Sequence, residues 1–198
     1  DAGDSAPGSL MLRRGFLCCL LALSGCASQT VVQGVAPAAS SENPSFEVSG
    51  RIAVRYNGQA DSGNFSWQHA LPADRVTLET PLGQTLAELV RDASGVRLDM
   101  SDGRQFSAAA VEPLTQEVLG WALPLSGLQY WIRGLPAPVA DHSEVLPRVE
   151  PGVYQLQQQG WQIDYPEFAG PPAVPGRVVM KRPGLEIRLA IHQWKFVP

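Results

Sequence analysis

The sequence predicts a mainly β domain: one antiparallel sheet, curled into an open or closed barrel, with two short helices plugging its mouth. Three observations carry this. Apolar and polar residues alternate with period two through most of the chain beyond Ser45, tight-turn signals separate the alternating runs, and helical spacing appears in one stretch only, around residues 111–132. A curled sheet has an apolar face that must be covered, and two short helices are too few for a full second layer. Curling the sheet around itself is the economical geometry, and the expected interior is a cavity.

Phe46, Val48, Ile52, Val54 and Tyr56 share one face of a first strand, with Glu47, Ser49, Arg51 and Arg55 on the other. Asn57-Gly58 turns the chain, and Phe65 and Trp67 alternate with Asn64, Ser66 and Gln68 in a second strand. Val76 and Leu78 mark a third; Pro81-Leu82-Gly83 breaks the run, and a fourth follows from about Thr85 to Val90. Val96, Leu98 and Met100 form a fifth, which Asp102-Gly103 turns into a short sixth around Gln105 to Ser107.

The period changes at Val111. Pro113 suits a first helical turn, and Leu114, Val118 and Trp121 fall on one helical face. A second helix is predicted from Ser126 as N-cap, carrying Leu128, Trp131 and Ile132 until Gly134 and Pro136 stop it. Residues 137–150 read as a Pro-punctuated loop. Alternation returns in Val153 to Gln157, turns at Gln159-Gly160, and continues through Trp161, Ile163 and Tyr165. Pro166 to Gly176 reads as an irregular crossing. Val178 and Met180, a turn at Pro183-Gly184, and Leu185, Ile187, Leu189 and Ile191 complete about ten strands.

A chain of 198 residues suits one folded domain, and 44% hydrophobic against 17% charged residues is enough to build its core. The net charge of -4, with no Lys/Arg block, lacks the electrostatic footprint that a nucleic-acid backbone requires. Nucleic acid is therefore not an expected partner.

Residues 1–25 read as a secretory signal region starting at Met11, with the basic pair Arg13-Arg14 and an apolar run from Phe16 to Leu23. The run is shorter than the roughly 20 residues that span a bilayer. Leu23-Ser24-Gly25-Cys26 resembles a bacterial lipobox, in which the Cys thiol receives a diacylglyceryl group and becomes the new N-terminus. Cys26 is accordingly the expected lipid attachment site. Two or three acyl chains give a stable anchor, at about 0.8 kcal/mol per buried CH₂. All three cysteines, Cys18, Cys19 and Cys26, lie in this segment, so the folded part would hold no disulfide, no Cys-rich zinc site and no Cys nucleophile. Ala27 stands where an Asp commonly retains such lipoproteins at the inner membrane, which by analogy favours the outer membrane. Residues 26–44, rich in Ala, Ser, Val, Pro and Gln, read as the lipidated Cys and a flexible tether, and residues 45–198 as the folded domain.

Catalysis has little support, although distant acids could in principle assemble a paired-carboxylate site. His69, His142 and His192 lie far apart without metal-ligand spacing and read as surface or strand-face residues, and there is no Gly-x-Ser-x-Gly elbow, Walker loop or His-Glu-x-x-His. No catalytic residue, metal site or cofactor is expected, and the chain reads as a non-enzyme.

Ser49-Gly50-Arg51-Ile52-Ala53-Val54 resembles the first strand of the LolB family of outer-membrane lipoprotein receptors. Phe65-Ser66-Trp67-Gln68, Pro81-Leu82-Gly83 and Ile187-x-Leu189-x-Ile191-x-x-Trp194 agree with that family in order and spacing. Its most specific mark is the run Pro124-Leu125-x-x-Leu128-x-x-Trp131-Ile132-x-Gly134-Leu135-Pro136, and the resemblance extends over about residues 45–196. It implies an unclosed antiparallel half-barrel of about ten to eleven strands, with short α-helices as a lid over an apolar cavity. It further implies a receptor that takes acylated lipoproteins from the periplasmic carrier LolA and inserts them into the outer membrane. The expected partners are then LolA, lipoprotein acyl chains and outer-membrane lipid, with no cofactor and a monomeric chain.

Trp67, Leu78, Leu98, Met100, Leu114, Val118, Leu128 and Trp131 are the candidate cavity or lid residues, each of them equally open to plain core packing. Pro81, Leu82 and Gly83 are the candidate membrane-delivery loop. The turn would hold Leu82 at a loop tip, and the resemblance implies a role for it in delivery; the alternative is a Leu82 folded back on the core. Two other readings stay open: a generic lipid-binding or hydrophobic-ligand-binding lipoprotein, and a structural or assembly lipoprotein with a filled core.

Overall fold

The computed structural model describes residues 44–138, 144–150, 153–170 and 173–197. All described residues belong to one compact unit. The expected signal region, Cys26, the tether as far as residue 43, and His142 lie outside the described residues.

Among the described residues, eleven strands form a single antiparallel sheet interrupted once by helices. The first six are β1 (Ser45–Tyr56), β2 (Gln59–Ala70), β3 (Ala73–Glu79), β4 (Thr85–Asp92), β5 (Gly95–Met100) and β6 (Gln105–Ala108). Helices α1 (Val111–Leu119) and α2 (Leu125–Trp131) follow, and then β7 (Glu144–Glu150), β8 (Val153–Gln158), β9 (Trp161–Ala169), β10 (Val174–Arg182) and β11 (Leu185–Val197). The spatial order is β6-β5-β4-β3-β2-β1-β11-β10-β9-β8-β7. Two meanders are thus joined where the first strand pairs with the last, and β6 and β7 remain as edges. The half-barrel is unclosed, as the resemblance implied.

The β1–β11 seam runs from Ser45 opposite Val197 to Tyr56 opposite Leu185, with one register irregularity at Ser49/Gly50. A side chain cannot fit there: a Cβ on Gly50 would lie 2.1 Å from the Ala190 carbonyl oxygen. Both edges are poor templates for a further strand, which limits edge-to-edge association. β6 has only four residues, and β7 loses regular register between Leu146 and Glu150, a stretch that contains Pro147.

Alternation along the strands places Phe46, Val48, Ile52, Val54, Phe65, Trp67, Val76, Leu89, Val96 and Leu98 on the concave face, all buried. From the C-terminal meander, Ile163, Tyr165, Val178, Met180, Ile187 and Leu189 complete the same core. Leu125, Trp131 and Ile132 press onto it from α2 and its end with no exposed surface. Burying each such side chain stabilises the fold by about 1.5–3 kcal/mol.

Four sequence expectations are corrected. The stretch 137–150 is not all loop, because β7 occupies Glu144–Glu150; an edge strand tolerates Pro147, whose missing N–H breaks no internal ladder. The crossing expected over Pro166 to Gly176 is shorter, since β9 runs to Ala169 and β10 begins at Val174, with bulges around Arg177 absorbing Pro175. Trp121 is not on the α1 face: Gly120 ends that helix in the left-handed conformation, and Trp121 packs from the connection that follows. Ser126 does not cap α2, which begins at Leu125; its hydroxyl donates instead to Glu112 Oε1 in α1 at 2.8 Å. Of the two readings of His69, surface or strand face, the second holds. It lies on the concave face of β2, 1% exposed, while His192 is exposed on β11.

Candidate functional site

The concave face is closed at one end and open at the other. At the closed end the Asp74 carboxylate, buried on β3, accepts Trp67 Nε1–H at 2.8 Å and pairs with His69 Nδ1 at 2.7 Å. Arg91 on β4 donates to its other oxygen through Nε at 2.7 Å and again through Nη2. Burial alone would raise the Asp74 pKa, but these hydrogen bonds from His69 and Trp67 and the charge of Arg91 hold it below the usual carboxylate range.

In the middle, the helices fill the sheet's hollow. A void of only about 20 Å³ remains between α2 and the strands, lined among others by Trp67, Val76, Leu78, Leu128 and Ile132. Hydrogen bonds hold the helices there. Thr115 Oγ1 in α1 accepts the Leu123 N–H at 2.9 Å and donates to the Val111 carbonyl, fixing the connection between the helices. Gln158 on β8 accepts Trp131 Nε1–H at 2.6 Å and exchanges two bonds of 2.8 Å with the backbone of Ala137. Arg133, buried after α2, donates Nε–H to the Gln129 carbonyl at 3.0 Å, and its guanidinium lies 5.5 Å from the Tyr130 ring centre. Burial lowers its pKa from the ordinary arginine value.

The open end is an apolar mouth of about 300 Å³. Ile52 and Val54 of β1, Leu78 of β3, Leu86 and Ala87 of β4, Met100 of β5, and Leu119 and Trp121 past α1 make its walls; Asp61 and Glu79 bring polar groups to it. The β3–β4 loop springs from this rim. Thr80 accepts the Gly83 N–H at 2.9 Å on its carbonyl and the Gln84 N–H at 3.1 Å on its hydroxyl, which tightens the turn. Gly83 takes a positive φ of 84°, a conformation that favours glycine. Leu82 is thereby held out at the tip, 90% exposed, rather than folded onto the core.

The eight residues expected in cavity or lid divide by position. Leu78 and Met100 line the mouth; Trp67, Leu78 and Leu128 line the narrow void. Leu98, Leu114 and Trp131 are buried in the core, and Val118 packs against it half-buried. Sequence reasoning did not single out Ile52, Val54, Leu86, Leu119 or Trp121 as mouth residues. Their apolar alternation was visible, but not which end of each strand the helices leave uncovered. Among the described residues no group of His, Cys, Asp and Glu could hold a metal ion.

The sequence profile of the family described as "Outer membrane lipoprotein LolB" matches residues 44–194, nearly the whole folded domain. The chain belongs to the LolB family. The outer-membrane lipoprotein LolB of Chromobacterium violaceum is 40% identical over 187 residues, covering 93% of this chain and all of the relative. That of Nitrosomonas europaea is 36% identical, over 89% of each chain. Among solved structures, the LolA superfamily protein NE2245 from Nitrosomonas europaea aligns with 79% of this chain and 87% of its own at 10% identity, with a TM-score of 0.44. As a LolB-family member the chain is an outer-membrane lipoprotein of the lipoprotein-localisation system, and not an enzyme.

Proposed function

We propose that this LolB-family chain is the outer-membrane receptor that accepts acylated lipoproteins from the periplasmic carrier LolA and inserts them into the bilayer. The observation that carries this reading is the apolar mouth left open at one end of an unclosed sheet. Acyl chains cannot cross water exposed, so each hand-over needs an apolar recess that accepts them without reading side-chain chemistry. Ile52, Val54, Leu78, Leu86, Met100 and Trp121 offer such walls.

At about 300 Å³ the mouth matches the small end of ligand pockets, roughly 300–1,000 Å³. Several acyl chains therefore require α1 and α2 to shift off the sheet, and the bonds of Gln158 to Trp131 and Ala137 are what such a shift breaks. Leu82 acts at the other end of the cycle. Its exposed side chain at the rim enters the bilayer surface, and burial of one Leu contributes about 1.5–3 kcal/mol, suited to transient contact. Cys26, acylated, supplies the lasting anchor, and the tether lets the domain reach both carrier and membrane.

The test is transfer. Residues 27–198, which hold the whole described core, are mixed with lipoprotein-loaded LolA, and a pull-down reads which protein carries the lipoprotein. Lipoprotein moving to this chain supports the receptor. Retention on competent LolA, with this chain folded, moves the function to a generic lipid binder or an assembly lipoprotein.

A further inference from the structure

The convex face of the sheet carries a second recess of about 330 Å³, which differs from the mouth in the charged residues along its wall. Arg51 of β1, Arg177 of β10 and Arg188 of β11 line it, together with Ser62 and Asn64 of β2, and no carboxylate does. The register explains the convergence. Arg51 lies opposite Ala190, and Ala190 lies opposite Arg177, so two arginines flank one small residue on the same face. With strands about 4.8 Å apart, their Cα atoms stand roughly 10 Å from each other, a separation that two guanidinium side chains bridge over one anion. Arg188 lies opposite Ala53, so small side chains again make the floor.

Charge compensation is incomplete. Arg188 pairs with Glu186 at 2.5 Å, and Glu167, opposite Arg177 in register, forms no ion pair with it. Neither Arg51 nor Arg177 has an ion-pair partner among the described residues, and both are exposed. In a chain of net charge -4 this is a local concentration of positive charge. Its place is informative too: Pro81, the neighbour of Leu82, forms part of its wall. The recess and the apolar mouth also share Ile52, Ser62, Gly63 and Asn64, so only the sheet's thickness separates them.

We propose that this recess binds the phosphate of an anionic phospholipid headgroup, gripping the bilayer beside the point where Leu82 enters it. Planar guanidinium groups hold phosphate oxygens through paired N–H donors, and Asn64 and Ser62 add polar groups at the wall. Apolar insertion and headgroup capture then act from one corner of the domain, which orients the mouth toward the membrane. The proposal rests on the reading of Leu82 as the membrane-contacting tip.

Residues 27–198 are sedimented with vesicles of phosphatidylcholine alone and with vesicles containing phosphatidylglycerol. Binding is expected to be stronger to the second, and the double variant Arg51→Gln/Arg177→Gln to lose that preference by about tenfold or more. Its circular dichroism and melting temperature should match the unsubstituted chain, and Arg51→Lys/Arg177→Lys, which keeps the charge but not the paired donors, should retain only part of the preference. Equal preference in the glutamine variant overturns the proposal. So does binding that millimolar inorganic phosphate abolishes while vesicle composition makes no difference, which marks a free-anion site. Leu82→Glu separates the two readings. If it changes nothing while the arginine pair still matters, headgroup capture stands and the delivery-loop reading falls; if it weakens both kinds of binding while the arginine pair is silent, the reverse holds.

Discussion

Trp131 in α2 donates its indole N–H to the side-chain oxygen of Gln158 in β8 at 2.6 Å, the same oxygen that accepts the Ala137 N–H. One amide on the sheet thus fastens both the last helical turn of the lid and the segment that leaves it. Both partners are buried, so water does not replace the bond when it is lost.

Gln158→Ala should therefore destabilise the domain by about 3 kcal/mol, because it strands the Trp131 indole N–H and the Ala137 backbone groups in an apolar setting. Hydrogen exchange should accelerate first in residues 125–137, before the strands. Uniform acceleration over the whole sheet would show that the lid has no opening separate from global unfolding.

Leu82→Glu should leave stability within about 0.5 kcal/mol, since an exposed loop tip has little packing to lose. Lipoprotein capture from LolA should persist, and insertion into liposomes should slow. Equal insertion rates for variant and unsubstituted chain would remove Leu82 from the delivery step.

Asp74 makes the fold acid-sensitive. Its folded pKa lies below the ordinary 3.8, so its stabilisation is complete above that value and is lost as pH falls through the folded pKa. Asp74→Asn should cost about 3 kcal/mol at neutral pH, by removing the charge that faces Arg91 in a buried site. Urea midpoints of the two proteins should converge on acidification below about pH 4. A gap that stays constant with pH would mean that Asp74 titrates as in the unfolded chain.

Met100→Glu places a carboxylate in the wall of the mouth. Desolvating that charge opposes an apolar ligand, so binding of an environment-sensitive dye displaced by fatty acid should weaken at least about tenfold. Leu114→Val, on the buried face of α1 and away from the mouth, should lower stability without this loss of dye affinity. If both variants weaken dye binding alike, the dye reports core loosening and not the mouth.

Gly63→Ala tests the tight approach of β2 to β3 at the same corner. A Cβ there would lie 2.1 Å from the Glu79 carbonyl oxygen, which has to move. The expected cost is about 1–3 kcal/mol in the urea midpoint.

Much of this was legible in the sequence because the sheet is antiparallel with one buried face. Period-two alternation named the inward set Phe46, Val48, Ile52 and Val54, and the Pro81-Leu82-Gly83 turn marked a tip whose Leu82 the chain holds exposed. Local chemistry fails where a residue's partner is distant. Pro147 argues for a loop only until an edge position relieves it of a ladder bond, and Ser126 looks like a cap until Glu112 takes its hydroxyl. His69 reads equally as a surface or a strand-face residue until Asp74 on the neighbouring strand accepts it into the core. The mouth and the arginine recess are further from view, because each depends on register across several strands and on which end of the sheet the helices cover. The sequence by itself determined which face of each strand is apolar, since that needs only neighbours two residues apart. Tertiary structure decided which of those apolar residues stay uncovered, because β1 and β11 must meet from opposite ends of the domain before the sheet has a closed and an open end.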